Sequence, residues 1–196
     1  MLQVIEITKS FNDMESVVAL NNEAFPEEER EEIDNFIEYA EEGICDFLAV
    51  YDGERFIGFT LLAVNAGTAY LCYFAVDSIL RSKGYGSKIL SLLKDRYKDK
   101  QIVLDLERTD EDSCNMEQRI SRKDFYLRNG FNETGFVLSY SGMTFEVLFY
   151  GKEFDKQSYV DLFEVVRDTT VNPSILDKWN FQFDGASNSE FVGIML

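Results

Sequence analysis

Histidine is absent from all 196 residues of this chain. That absence removes the Ser-His-Asp triad, the Cys-His pair and every histidine-ligated metal site. Acid–base chemistry is left to carboxylates, tyrosine, lysine, cysteine and water. Cysteine is scarce as well: Cys45, Cys72 and Cys114 are odd in number, scattered and without CxxC spacing. They read as reduced thiols of a cytoplasmic protein, not as a disulfide framework or a zinc site, so no metal is expected. No apolar run approaches the roughly 20 residues of a bilayer crossing, and the opening MLQVIEITKSF lacks the basic-then-apolar order of a signal peptide. Positive charge is the last shortage. Nineteen cations stand against 36 acids, a formal charge of −17, which makes nucleic acid and anionic membranes poor partners.

What is present suffices for a folded domain. Hydrophobic residues make up 45% and aromatics 14% of the chain, which argues against disorder, and the length suits one domain with an appendage. Charge is unevenly spread. Residues 1–43 hold thirteen acids against Lys9 and Arg30, whereas residues 81–100 hold seven cations against Asp95 and Asp99. From Lys94 to Lys100 this is a solvated helix face. The cations nearer residue 81 sit among glycines and need another explanation.

The segment LQVIEI alternates as a first strand. Apolar spacing predicts helices from Asn12 to Phe25 and across EEEREEIDNFIEYAEEG, the second stopped by Gly43. CDFLAVYDGERFIGFTLLAV reads as a hairpin around Asp52-Gly53, and NAG at 65–67 turns the chain into a third strand, TAYLCYFAV. A helix carrying Ile89, Leu90, Leu93 and Tyr97 follows, then the strand QIVLDLE. Residues 115–128 form a further helix that Asn129-Gly130 closes. FNETGFVLSY and TFEVLFYG pair around Ser141-Gly142. This order indicates an α/β fold with a mixed, largely antiparallel central sheet flanked by helices. Beyond Gly151 the chain changes character: DKQSYVDLFEVVRD is helical in spacing, WNFQF alternates, and FVGIML is strongly apolar.

The stretch ILRSKGYGSKILSLLK gathers Arg81, Lys83 and Lys88 around Gly84 and Gly86 at a helix entrance. Four backbone N–H groups lack partners at a helix N-terminus, where the dipole is positive. Glycine lets a bulky anion approach, and the cations add charge-assisted hydrogen bonds. The composition is that of a phosphate cradle. It is not a P-loop, because Gly86 precedes Ser87 and Lys88 in the wrong order, and a dinucleotide fingerprint would need glycine at position 89, which is Ile.

Arg-x-x-Gly-x-Gly after a strand resembles the GNAT family of N-acetyltransferases. YFAVDSILRSKGYGSKILSLL resembles the family's central acetyl-CoA motif, and DFYLRNGF, about forty residues later with one strand between, resembles its Tyr-x-x-x-Gly-Phe helix motif. The resemblance covers residues 1–151 and implies a GNAT-like acetyltransferase domain there. Residues 152–196 would be a C-terminal extension packing either on that domain or on a second copy, the latter giving a homodimer.

The resemblance implies that Phe74, Ala75 and Val76 offer main-chain groups to the pantetheine arm of acetyl-CoA. Arg81 and the amides of Lys83, Gly84, Tyr85, Gly86 and Ser87 would hold the pyrophosphate. Tyr126 would stand near the coenzyme sulfur as general acid, since a phenol is protonated at neutral pH. The base is Glu107, an acid of FPEEEREE, or water, with proximity supplying much of the rate. Glu28, Glu29 and Arg30 would border the acceptor cleft, where acids attract an ammonium group. Arg119 stands where many members carry Asn; Arg119 and Arg122 either face coenzyme phosphates or pair with nearby acids. The expected activity is acetyl transfer from acetyl-CoA to a primary amine of a small molecule or peptide, with a cationic acceptor. The competing reading is a catalytically silent, acyl-CoA-binding regulatory module of the same fold.

Overall fold

The computed structural model of the chain describes residues 2–27, 30–109, 113–140, 143–167 and 182–185. The elements are β1 (Leu2–Glu6), α1 (Met14–Ala24), α2 (Ile33–Glu41), β2 (Cys45–Asp52), β3 (Arg55–Val64), β4 (Thr68–Val76), α3 (Tyr85–Arg96), β5 (Gln101–Glu107), α4 (Met116–Arg128), β6 (Asn132–Tyr140), β7 (Met143–Tyr150), α5 (Lys156–Arg167) and β8 (Gln182–Gly185). They form two compact units, Met1–Lys100 and Gln101–Leu196. The fold is of the α/β class, with antiparallel strands flanked by helices, as the element order predicts.

In the first unit β1 to β4 form an antiparallel meander in chain order. The β2–β3 connection has only Gly53 and Glu54 between the paired Asp52 and Arg55, and Gly53 takes φ 64°. A two-residue hairpin needs that left-handed residue to match strand twist. Asn65 builds the next turn with its side chain, its Oδ1 accepting from the Gly67 and Thr68 amides at 3.0 and 2.7 Å. The core is aromatic: Phe36 and Phe59 are fully buried, Phe47 meets both edge-on, and Phe25 and Tyr73 extend the cluster. Each such ring contributes about 1.5–3 kcal/mol of burial. Helix α2 starts at Ile33, six residues later than the acidic run suggested. The Glu31 carbonyl accepts from Asn21 Nδ2 at 2.9 Å, and its carboxylate accepts from Asn35 Nδ2. Those bonds commit the run's end to a tie with α1 and to a side-chain bond with the first turn of α2.

Two irregularities shape this meander. The β3–β4 register passes from Leu61↔Tyr73 to Leu62↔Leu71, so Cys72 is an extra residue on β4. Such a bulge twists and re-aims the strand beyond it, here Phe74–Val76. The β2–β3 register also slips, passing from Val50↔Gly58 to Tyr51↔Phe56 and leaving Ile57 unopposed.

The second unit has strand order β5-β7-β6-β8, with every pair antiparallel. Three β6 residues, Thr134 to Phe136, stand against Val147 alone. Gly135 takes φ 75° there, and Thr134 Oγ1 donates to the Val147 carbonyl at 2.8 Å. Helix α5 is fastened at its start. Gln101 Nε2 donates to the Asp155 carbonyl at 2.7 Å, and the Asp155 amide donates back to Gln101 Oε1 at 2.9 Å. Tyr159 and Leu162 are buried behind that clamp. Among the described residues no helix is long and apolar enough to cross a membrane.

Candidate functional site

In the first unit the end of β4 runs directly into the glycine-rich loop. The Asp77 amide donates to the Ile57 carbonyl at 3.0 Å, and Asp77 Oδ1 accepts from the Ile79 amide at 2.9 Å, capping a 3-10 turn over Ser78–Leu80. Arg81 then folds back: its Nε donates to the Val76 carbonyl at 3.2 Å. The loop is therefore anchored to the strand that precedes it before any ligand arrives.

Beyond Arg81 the backbone turns left-handed twice, at Ser82 (φ 60°) and Gly84 (φ 81°). Among the described residues Ser82 is the one non-glycine with positive φ. Alternating hands turn successive N–H groups toward one concavity. Gly84 is the N-cap of α3, and the first helical bond runs from the Lys88 amide to its carbonyl. The amides of Tyr85, Gly86 and Ser87 are consequently those a helix leaves without an internal acceptor. The Lys83 amide, by contrast, reaches back to the Leu80 carbonyl at 3.4 Å. Arg81, Lys83 and Lys88 are all exposed around this concavity. Orphan amides, a positive helix end and three cations fit the diphosphate of a coenzyme A thioester.

Tyr85 takes a part that its place in the motif did not show. Its hydroxyl donates to Asp52 Oδ2 at 3.0 Å, tying the first residue of α3 to the β2–β3 hairpin. That hydrogen bond holds the Tyr85 phenol above its ordinary pKa. Lys88 Nζ lies 4.8 Å from the Tyr85 ring centre.

Tyr126 and Glu107 belong to the second unit. Helix α4 ends in a six-residue cap that explains why Tyr, Gly and Phe recur at this spacing. Gly130 takes φ 80°, its amide donates to the Leu127 carbonyl at 2.9 Å, and the Phe131 amide donates to the Tyr126 carbonyl at 3.1 Å. This is the Schellman arrangement. Its apolar contact is Tyr126 with Phe131, ring centres 5.5 Å apart and edge-to-face. Phe125 flanks the other side at 5.1 Å. Tyr126 is buried, and burial pushes its phenol well above the ordinary value; Arg122 opposes that shift and Asp105 adds to it.

Glu107 is held rather than free. Arg119 Nη2 and Asn115 Nδ2 both reach its Oε1, at 3.1 and 3.2 Å, and Arg122 Nη1 donates to its Oε2 at 3.0 Å. Of the two roles left open for Arg119 and Arg122, pairing with a nearby acid is the one seen. A cavity of about 350 Å³ opens between the end of β5, α4 and the bulged part of β6. Lys123 sits at its wall, clamped between Glu133 and Glu146. The two carboxylates outweigh the single ammonium, so the cluster keeps a net negative charge.

The sequence-predicted residues thus divide by unit. Phe74, Ala75, Val76 and Arg81 to Ser87 are contiguous in the first. Tyr126 and Glu107 lie in the second, joined through Arg122, which pairs with one and acts electrostatically on the other. Arg30 is half-buried, its Nη1 donating to the Asn22 carbonyl at 3.4 Å. Glu28 and Glu29 lie outside the described residues. Cys114 is exposed, and the described residues contain no group of three or more metal-ligating side chains.

Solved structures share this fold. A putative GNAT-family acetyltransferase from Bacteroides thetaiotaomicron is 25% identical, with a TM-score of 0.66 over 84% of this chain and 96% of that one. An aminoglycoside 6'-N-acetyltransferase complexed with coenzyme A is 16% identical, with a TM-score of 0.58 over 76% and 96%. A spermidine N-acetyltransferase chimera from Vibrio cholerae SpeG and hSSAT is 17% identical, with a TM-score of 0.58 over 76% and 93%. No curated protein matches the chain in sequence. The profile described as "Acetyltransferase (GNAT) family" matches residues 12–131, more than half the chain and both of its units, and the chain belongs to that family.

Proposed function

We propose that the chain transfers an acetyl group from acetyl-CoA to the primary amine of a small molecule or peptide by direct attack, and that the acceptor is cationic. The observation that carries this reading is the loop from Arg81 to Ser87. Its two left-handed residues turn the first amides of α3 outward among exposed cations. The diphosphate binds there, and the main chain of Phe74, Ala75 and Val76 serves the pantetheine arm.

In the reaction the neutral amine attacks the thioester carbon, and a backbone N–H at the end of β4 donates to the oxyanion. Collapse breaks the carbon–sulfur bond, and Tyr126 hands its phenolic proton to the departing thiolate. The raised pKa from burial keeps that proton in place across the neutral range. Glu107 keeps one of its roughly four acceptor positions, on Oε2, beyond its bonds to Asn115, Arg119 and Arg122. It serves as base through a water there, with proximity of the two reactants supplying much of the rate. Two observations support a cationic acceptor: the acidic segment 1–43, with Glu28 and Glu29 beside Arg30 between α1 and α2 in the sequence, whose acids outnumber its two cations, and the aminoglycoside and spermidine N-acetyltransferases that share the fold. The reading also takes residues 152–196 as an extension of a 1–151 acetyltransferase domain, and the protein as a cytoplasmic homodimer.

A calorimetric titration with acetyl-CoA tests the first half of the reading, and acetyl-CoA consumption against polyamines, aminoglycosides, amino acids and N-terminal peptides tests the second. Absence of binding heat would sink both. One observation favours the silent-module alternative: Glu107 is engaged by two arginines. Tyr126→Phe separates the two readings. As an enzyme, the variant binds acetyl-CoA as the parent does and loses at least about a hundredfold in turnover, the lower end of the range for a lost acid. Equal turnover of parent and variant removes Tyr126 from the mechanism.

A further inference from the structure

Strand β3 carries a single glycine, Gly58, paired with Val76 at the end of β4. Its backbone φ lies outside the left-handed region, so no conformational demand explains it. Space does. A Cβ on Gly58 would stand 2.1 Å from the Ala75 carbonyl oxygen and 3.1 Å from both the Ala75 carbonyl carbon and Val76 Cα. All three are backbone atoms, so no rotamer change relieves the contact, and β4 itself must move.

The segment that would move is the one the coenzyme uses. Ala75 and Val76 are two of the three residues assigned to the pantetheine arm. Val76 also passes the displacement on, because its carbonyl accepts from Arg81 Nε. On the other side Ile57, next to Gly58 and left unopposed by the β2–β3 slip, accepts from the Asp77 amide. Gly58 thus lies against the junction where strand, 3-10 turn and anion loop are fastened together. Elsewhere in β3 this requirement vanishes: the pairs from Phe59 to Val64 carry side chains throughout.

We infer that Gly58 is a positioning residue for acetyl-CoA: its missing side chain lets the Ala75–Val76 backbone approach β3, and that approach sets where β4 and the anion loop meet the coenzyme. This rests on the coenzyme reading proposed above. It assigns a binding role to a residue that lies on the neighbouring strand, fifteen residues before the family's motif begins at Tyr73.

The test compares wild type, Gly58→Ala and Gly43→Ala by calorimetric titration with coenzyme A and by thermal unfolding. Gly43 follows α2, takes φ 74° and has nothing within 4 Å of a built Cβ. Its substitution therefore strains the backbone without touching β4. Coenzyme affinity is expected to fall fivefold or more in Gly58→Ala and to stay at the wild-type value in Gly43→Ala, although both lose thermal stability. A smaller loss in Gly58→Ala, or an equal loss in both variants, overturns the inference. If Gly58→Ala does not fold, hydrogen exchange of the wild type decides. Coenzyme A must then slow the amides of residues 75–77 together with those of 83–87, and slowing of 83–87 alone overturns it. A wild type that gives no heat with coenzyme A overturns the coenzyme reading itself, before any variant is compared.

Discussion

A left-handed backbone costs a residue with a side chain about 1–2 kcal/mol, and the anion loop requires it twice, at Ser82 and at Gly84. Glycine meets the demand without strain; serine stores it. The two positions should therefore answer oppositely to substitution. Gly84→Ala has open space for its methyl group, so its penalty is conformational alone. The variant relaxes toward a right-handed turn, withdraws the first amides of α3, and loses coenzyme affinity by about tenfold, the equivalent of about 1.4 kcal/mol. Ser82→Gly relieves strain, stays within about 1 kcal/mol of wild-type stability and keeps its affinity. Calorimetry and urea unfolding on the pair check both outcomes. If Gly84→Ala binds as the parent does, the left-handed turn is not what presents the amides.

Helix α4 shows how one element fixes the proposed general acid through its own termination. The carbonyl of Tyr126 accepts the cap's outer hydrogen bond, and its ring meets Phe131, the residue that donates it. Phe131→Ala removes a ring that is 2% exposed and should cost about 3–5 kcal/mol in urea unfolding. Phe131→Leu, which keeps apolar volume, should cost less and restore most of the turnover. Coenzyme affinity, read from the other unit's loop, should not change in either. Should turnover follow Tyr126→Phe but ignore Phe131→Ala, the cap is packing and not positioning. The Tyr-x-x-x-Gly-Phe spacing was legible in the sequence because cap and contact are local, within six residues. So were the Asp52-Gly53 hairpin and the helix entrance at Gly84. Bulges were not: the extra residue at Cys72 and the slip at Ile57 are properties of a pairing between strands, and nothing in TAYLCYFAV or RFIGFTLLAV alone announces them. The tether from Tyr85 to Asp52 escaped for the same reason, and for Arg119 and Arg122 the sequence left pairing with an acid as one of two alternatives without naming Glu107 as the partner. Gly58 did leave a trace, a lone glycine inside a strand pattern, which ordinarily marks a close backbone approach.

At the scale of the whole molecule, a chain without histidine has little to titrate near neutrality, and its pH sensitivity moves to the alkaline side. Tyr39, Tyr97 and Tyr126 are all pushed up by burial, and Tyr51 by burial and its hydrogen bond to Asp13. A raised folded-state pKa means that the unfolded chain releases its proton first. The stabilisation is complete below the unfolded value of about 10 and drains away as pH rises beyond it, by up to about 1.4 kcal/mol per pH unit for each phenol. Cys45, raised by burial, adds the same sign from a lower pH. Lys94, lowered by burial, works the other way and offsets part of one phenol. Stability should therefore hold from neutrality to about pH 9 and fall steeply from about pH 10. Tyr39 provides the sharpest check. Its hydroxyl is buried with no hydrogen-bond partner among the described residues, so Tyr39→Phe removes an unsatisfied polar atom at little or no cost in neutral stability. The same change deletes one ionisable group from the unfolded chain. Unfolding midpoints followed from pH 8 to pH 11 should coincide for parent and variant at the low end and separate above pH 10, with Tyr39→Phe the more stable. Parallel curves across that range would mean that the Tyr39 phenol ionises as readily in the folded protein as in the unfolded chain, and that its burial carries no electrostatic cost.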